Sequence, residues 1–403
     1  MRPLALPVIL ALLVTGLSTA PALATWDDGV AAFQSGRYDE AVEAFRNYLA
    51  QSPEASQAHF MLGRSLLKTR QVSAALASFD KAVELDAGNL DYRLAYAQLQ
   101  FKAKRFDDAL GTLAAQDPAT LPDNRRNSYE TLLVNAATEG ADDALAARAL
   151  ERALQANPRS KVMWQTLAAT VGEYDPARKF EALTKAFEID TTDLDAGRDA
   201  ARSALFIAQT PGMADAKTWY AQALGVAKRL GDTAEDHRLR GEAHLGLQQI
   251  PEARQAFERA KPGMAKDPAI HYYLASCALA EKRPQDAIAL LDTADTLGPN
   301  DTLAQLILFT RASALRHLER FDDAATVYAK LGRPEKVAEM KQLRADQAQN
   351  AQWEADKRDC ESRRDKLEAL LAESEDLKGT AVWDELQSEH TAVVEACKGF
   401  LDA

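Results

Sequence analysis

Glycine and proline are scarce in this chain, 19 and 15 of 403 residues. That is too few for the many tight turns of a β-rich or loop-rich protein of this length. Positive charge is also short: 48 Lys and Arg stand against 60 Asp and Glu, a net charge of −12. A protein that grips the phosphate backbone usually carries a basic excess, so nucleic acid is not expected as a partner. Only three cysteines occur, with no CxxC among them, and there is no HExxH. No metal site is therefore expected, and no cofactor. The phosphate-cradling patterns GxxxxGK[ST] and GxGxxG are missing, as is the GxSxG nucleophile elbow. After residue 24 no run reaches the roughly 18 apolar residues that a membrane span needs. What is present is alanine in abundance, the strongest helix former. With 47% hydrophobic and 27% charged residues the composition is that of a folding chain. The expectation is an all-α protein.

The first 24 residues read as a cleaved signal peptide. Met1-Arg2 gives a positive start, Leu4 to Leu17 an apolar stretch, and Ala22-Leu23-Ala24 the small residues of a cleavage site. Thr25, rather than a cysteine, follows, so no lipid anchor is expected. Pro7, Gly16 and Pro21 interrupt the stretch and weigh against the alternative, an uncleaved anchor. The mature protein is expected to be soluble and periplasmic or secreted.

The body repeats. Residues 36–53 read GRYDEAVEAFRNYLAQSP, and residues 59–89 carry Gly63, Ala75, Phe79 and Ala82 in the same order. Ala41, Ala75 and Ala109 are spaced by 34 residues, and so are Phe45, Phe79 and Leu113. The spacing returns between Ala253 and Ala287, with Gly241 and Phe257 in one copy and Ala275 and Leu291 in the next. Residues 127–158, 161–190 and 305–331 carry variants, and 193–231 is helical but degenerate. This pattern resembles the tetratricopeptide repeat (TPR) family. The resemblance implies a right-handed helical solenoid over residues 25–335, about nine repeats with two degenerate, each a pair of antiparallel helices that cannot bury its apolar face alone. Small residues let the paired helices approach, and aromatic residues fill the space beside them.

After Pro334 the pattern stops. Residues 336–403 read as an antiparallel helical hairpin, a short coiled-coil-like element: a long charged helix to 373, a turn at 374–380 with Gly379 as breaker, and a second helix over 381–401. Cys360 and Cys397 are equidistant from that turn, and the same folding opposes Leu367 and Leu371 to His390 and Leu386. An exported compartment permits disulfides, so a Cys360–Cys397 bond is expected, with two buried thiols as the alternative. The seam would comprise Leu367, Leu371, Leu386, Val393 and Phe400. Cys277 reads as a buried small apolar residue. The hairpin is also a candidate dimerisation element.

No constellation of catalytic residues stands out. All six histidines fall in helical segments, and Asp107-Asp108 and Asp322-Asp323 stand where second helices begin, complementing the helix dipole. The chain is thus expected not to be an enzyme. In the TPR family the first helix of each repeat lines a concave groove that takes peptides. The resemblance places Phe60, Arg64, Leu67, Lys68, Leu94, Gln98, Phe101 and Lys102 there. Aromatic groups beside cations suit an apolar segment with an acidic flank; the competing reading puts Phe60 and Phe101 partly in the core. Trp26, Val30 and Phe60 occupy places where carboxylate-binding TPR co-chaperones carry a basic and asparagine clamp, so that activity is not implied. The functional expectation is a protein-binding scaffold of the cell envelope, in an assembly, export or secretion complex. The alternative is an accessory subunit of an envelope enzyme or polymer-export machine, with a site between helices.

Overall fold

The computed structural model describes residues 25–172, 174–212 and 215–401. The expected signal segment, 1–24, lies outside them. Among the described residues every regular element is helical and there is no strand. The chain divides into two compact units between Ala204 and Leu205, within helix Leu194–Gln209.

The first unit holds five helix pairs: Trp26–Gln34 with Tyr38–Gln51, Ser56–Lys68 with Val72–Leu85, Leu90–Lys102 with Phe106–Ala114, Asp123–Thr138 with Asp143–Ala156, and Lys161–Val171 with Pro176–Ile189. The second holds helix Ala216–Ala227 and three further pairs: Ala234–Gly246 with Ile250–Ala260, Pro268–Ala280 with Pro284–Thr296, and Asp301–His317 with Phe321–Lys330. Each of these helices packs mainly on its sequence neighbours, the arrangement of a stacked repeat array.

The periodic residues form the core of each pair. Ala41, Ala75, Ala109, Ala253, Ala287 and Ala324 are wholly buried, as are Phe45 and Phe257. The glycines of the first helices are needed for this packing. A Cβ on Gly63 would stand 2.9 Å from the Phe79 ring, and one on Gly241 2.5 Å from the Phe257 ring. Gly29, which the sequence reading did not single out, meets Phe45 in the same way, at 2.6 Å. The acidic pairs Asp107-Asp108 and Asp322-Asp323 lie in the first turns of their helices, where the exposed N–H groups favour negative charge.

Beyond the last pair, helix Pro334–Glu373 runs for 40 residues. Val337, Met340 and Leu343 pack against the Phe321–Lys330 pair. A short turn follows at Glu375–Leu377, with Gly379 at φ +89°, then helix Ala381–Ala396. Cys360 and Cys397 are joined in a disulfide, their Cα atoms 5.6 Å apart. The single second helix expected over 381–401 is interrupted at Cys397 and resumes as Lys398–Leu401. Packed helix axes lie about 8–10 Å apart with Cα atoms about 2.3 Å off each axis, so facing residues of the two arms reach the separation that a disulfide needs. Of the expected seam, Leu367 is buried and Leu371, Leu386, Val393 and Phe400 are half-buried. Phe400 rests on Trp353, ring centroids 6.0 Å apart.

Candidate functional site: a cationic and aromatic trough

Positions 60, 64, 67 and 68 recur on one face of helix Ser56–Lys68, and 94, 98, 101 and 102 repeat that spacing on helix Leu90–Lys102. Both faces border open concavities of the first unit. Phe60, Arg64, Leu67, Lys68, Gln98 and Lys102 line a concavity of about 430 Å³. Leu94 and Phe101, with Gln98 and Lys102 again, line an adjoining one of about 590 Å³. The structure therefore brings all eight residues to one trough.

The two aromatic residues divide their surface between trough and core. Phe60 stacks on Tyr92, centroids 4.5 Å apart, and touches the Phe79 ring at 5.5 Å. Phe101 meets Phe106 at 5.5 Å. The cations are held over ring faces. The Arg64 guanidinium lies 4.8 Å from the Phe33 centroid and 5.8 Å from that of Phe60, and the Lys68 ammonium lies 5.7 Å from that of Tyr38. Such contacts orient a cation without neutralising it. Among the described residues no carboxylate pairs with Arg64, Lys68 or Lys102. Arg125 at the far rim is different, being bound to Asp91 at 2.8 Å.

The trough continues beyond the residues expected from the sequence. Asn127, Thr131 and Asn135 line both the second concavity and a third of about 290 Å³, which reaches Val162. Their spacing of four residues on helix Asp123–Thr138 is a readable signal. It was hidden because that repeat lacks the glycine and aromatic markers that set the register of the earlier copies.

The second unit contains a polar network of another kind. The Arg238 guanidinium donates to Glu235 at 2.6 and 2.8 Å and to Glu242, while the Gln209 amide donates to Glu242 at 3.3 Å. Burial pushes the Glu242 carboxyl above its ordinary range, and Arg238 opposes the shift. Burial also raises the Tyr273 hydroxyl, whose bond to Glu242 adds to the effect. With its hydrogen bonds satisfied inside the unit, this network fixes the register of neighbouring helices. His237 and His244 do not converge: His237 pairs with Asp232 at 2.9 Å and His244 contacts Gln249 at 2.6 Å. Among the described residues no group of three metal-ligating side chains comes together. Cys277 is a buried free thiol, pushed up by burial to about 12.

With this geometry in place, the comparisons are consistent with one family. A tetratricopeptide repeat profile matches residues 27–89 and 238–302, and a second matches 70–126. The chain is a tetratricopeptide repeat protein. It is similar to the solved TPR domain of P58(IPK), at 16% identity over 79% of this chain and 97% of that one, TM-score 0.28. It is also similar to yeast Tom70, at 15% identity over 92% and 95% of the two chains, TM-score 0.29. A third similar structure is MamA 41-end from Desulfovibrio magneticus RS-1, at 16% identity over 45% and 96%, TM-score 0.34. None of the curated proteins matches the chain. No helix among the described residues is long and apolar enough to cross a membrane.

Proposed function

We propose that this protein is a non-enzymatic scaffold of the cell envelope, exported behind a cleaved leader, which holds protein or peptide partners in the trough of its second and third repeats. One observation carries the reading: on a concave face, apolar side chains alternate with Arg64, Lys68 and Lys102, none paired with a carboxylate among the described residues. Such a surface favours an apolar segment flanked by acids, because the apolar group is desolvated between the rings while the acids meet cations already in place. The disulfide of the hairpin supports the exported location, since such bonds persist in oxidising compartments.

The test is fluorescence anisotropy with a labelled peptide carrying Leu or Phe between Asp and Glu residues. Lys68→Glu and Lys102→Glu are the informative variants, because both side chains are exposed. Phe60→Ala would mix binding with stability through its stacking on Tyr92. Each charge reversal should weaken binding by about 1–3 kcal/mol at low salt and by less at high salt. Equal affinity for wild type and both variants would remove the trough as the site.

A further inference from the structure

The hairpin apex has the chemistry that the trough is built to accept. Residues 370–385 contain five carboxylates, Glu373, Glu375, Asp376, Asp384 and Glu385, against the single cation Lys378. Within the same stretch Leu370, Leu377 and Val382 are 47%, 38% and 55% exposed. Lys378 is already bound to Glu375. The other four carboxylates have no cationic partner among the described residues. Leu377 stands at the crown, in the turn Glu375–Leu377, directly after Asp376. This is an apolar knob with acids beside it.

The apex is also displayed. The long helix is bound to the last repeat pair as far as Gln347, which donates to Glu319, and continues to Glu373, about 40 Å further at the helical rise per residue. Leu370, Leu377 and Val382 thus stand partly exposed at the far end of this arm.

We infer that the apex of one copy docks in the trough of a second copy of this chain. Leu377 enters the concavity lined by Phe60 and Leu67, while Asp376 and Glu373 face Lys68, Lys102 and Arg64. The inference rests on the trough being a binding site, as proposed above. The contact joins unlike surfaces, so a pair leaves the trough of one copy and the apex of the other free, and association can continue from copy to copy or close into a ring. The disulfide supports this role, because it holds the two arms of the apex together at their base and reduces what must be ordered on docking.

The test is sedimentation of the full oxidised chain from low concentration to about 100 μM, the range of weak but specific association. The wild type should self-associate, more weakly at high salt. A trough variant, Lys68→Glu with Lys102→Glu, and an apex variant, Asp376→Lys with Leu377→Ser, should each associate at least tenfold more weakly. Both sets of positions are exposed, so neither variant should compromise folding. Mixing the two variants leaves one intact trough and one intact apex, and a one-to-one complex should return. If the wild type stays monomeric while the acidic peptide still binds, this inference falls and the trough reading stands. Failure of both self-association and peptide binding overturns the two together. Self-association that persists in both variants, or that the mixture does not restore, also overturns the inference.

Discussion

The first helices of these repeats end in a backbone conformation that most of their residues do not favour. The residue just past each helix has a positive φ: Gly36 at 75°, then Arg70 at 62°, Lys104 at 59°, Gln248 at 60°, Lys282 at 59° and Glu319 at 57°. The reason is a pair of hydrogen bonds that closes each helix. Arg70 N–H donates to the Leu67 carbonyl and Gln71 N–H to that of Leu66, at 3.1 and 2.8 Å, and the other turns repeat this. Only glycine takes that conformation without a side-chain penalty. Arg70→Gly and Lys104→Gly should therefore each raise stability, by about 0.5–1 kcal/mol after glycine's entropy cost. Urea unfolding of the variants checks this, and a lower midpoint would contradict the assigned turn. A second residue-scale prediction concerns the packed pairs. Gly63 with Phe79 and Gly241 with Phe257 become Ala97 with Leu113 and Ala275 with Leu291 exactly one 34-residue step later. In these copies the glycine accompanies the ring and the alanine the smaller leucine, whereas the last pair fits Ala312 and Tyr328 into one cluster. Gly63→Ala alone should cost about 1–3 kcal/mol through overpacking. Adding Phe79→Leu should return part of that loss, which a double-mutant cycle would show as strong coupling. The glycine, alanine and aromatic positions were legible from spacing alone. The strained turns were not, because arginine, lysine and glutamine carry no mark of a left-handed backbone, and only alignment to Gly36 betrays them.

At the scale of elements, the hairpin depends most on a single bond. Helix Ala381–Ala396 has no buried residue, so the second arm contributes little apolar burial of its own. Cys360 and Cys397 are 37 residues apart, and closing such a loop is worth roughly 3–4 kcal/mol on the chain-entropy argument. Mild reduction should raise amide hydrogen exchange across 381–401 and in the distal part of the long helix, while the repeats keep their protection. Cys277 should resist alkylation throughout, since burial leaves almost no thiolate near neutral pH. Unchanged exchange in the hairpin after reduction would mean that the seam suffices without the bond. The register of this hairpin was readable because two cysteines and a leucine pair agreed on it. That register sets Phe400 opposite Lys357, whereas the ring reaches one turn further, to Trp353; side-chain length is not visible in a count of positions. A different element carries an acid-sensitive clasp. Lys161 Nζ reaches Asp190 at 2.7 Å and Asp193 at 3.2 Å. The ammonium and the hydrogen bonds of Thr192 hold the Asp190 carboxyl down at about 2. A lowered carboxylate stabilises the fold at pH values above its unfolded pKa of about 4. That contribution is lost as pH falls through the folded value near 2. Asp190→Asn should therefore lower the urea midpoint above about pH 4 and leave it little changed near pH 2, so that the acid limb of the plot against pH flattens.

For the molecule as a whole, a 34-residue period means that most contacts are between neighbours, and stability is expected to accumulate repeat by repeat rather than from one central core. Such a chain opens first where the period lapses. In the sequence the lapse falls at residues 191–232, where Thr191-Thr192 and Thr210-Pro211-Gly212 interrupt the degenerate stretch 193–231. The two compact units divide inside this range, although within a helix that the sequence pattern did not mark as a boundary. The weak point follows that helix. Gln209, Thr210, Pro211 and Gly212 are exposed, Gly212 lies at φ +83° and Asp215 at φ +59°. Proline and left-handed residues prevent either helix from extending across the gap, and a protease needs an exposed, extendable segment to bind. Thermolysin under native conditions should therefore cut first between Gln209 and Ala216, giving two fragments of nearly equal mass. The hairpin apex is the competing site, being exposed from Glu375 to Val382. A cut there leaves the arms joined by Cys360–Cys397, so it alters the pattern only on a reducing gel. Two half-length bands on a non-reducing gel thus identify cleavage after Gln209. An undivided non-reducing band that loses a small C-terminal piece on reduction would show instead that the apex opens before the middle of the chain.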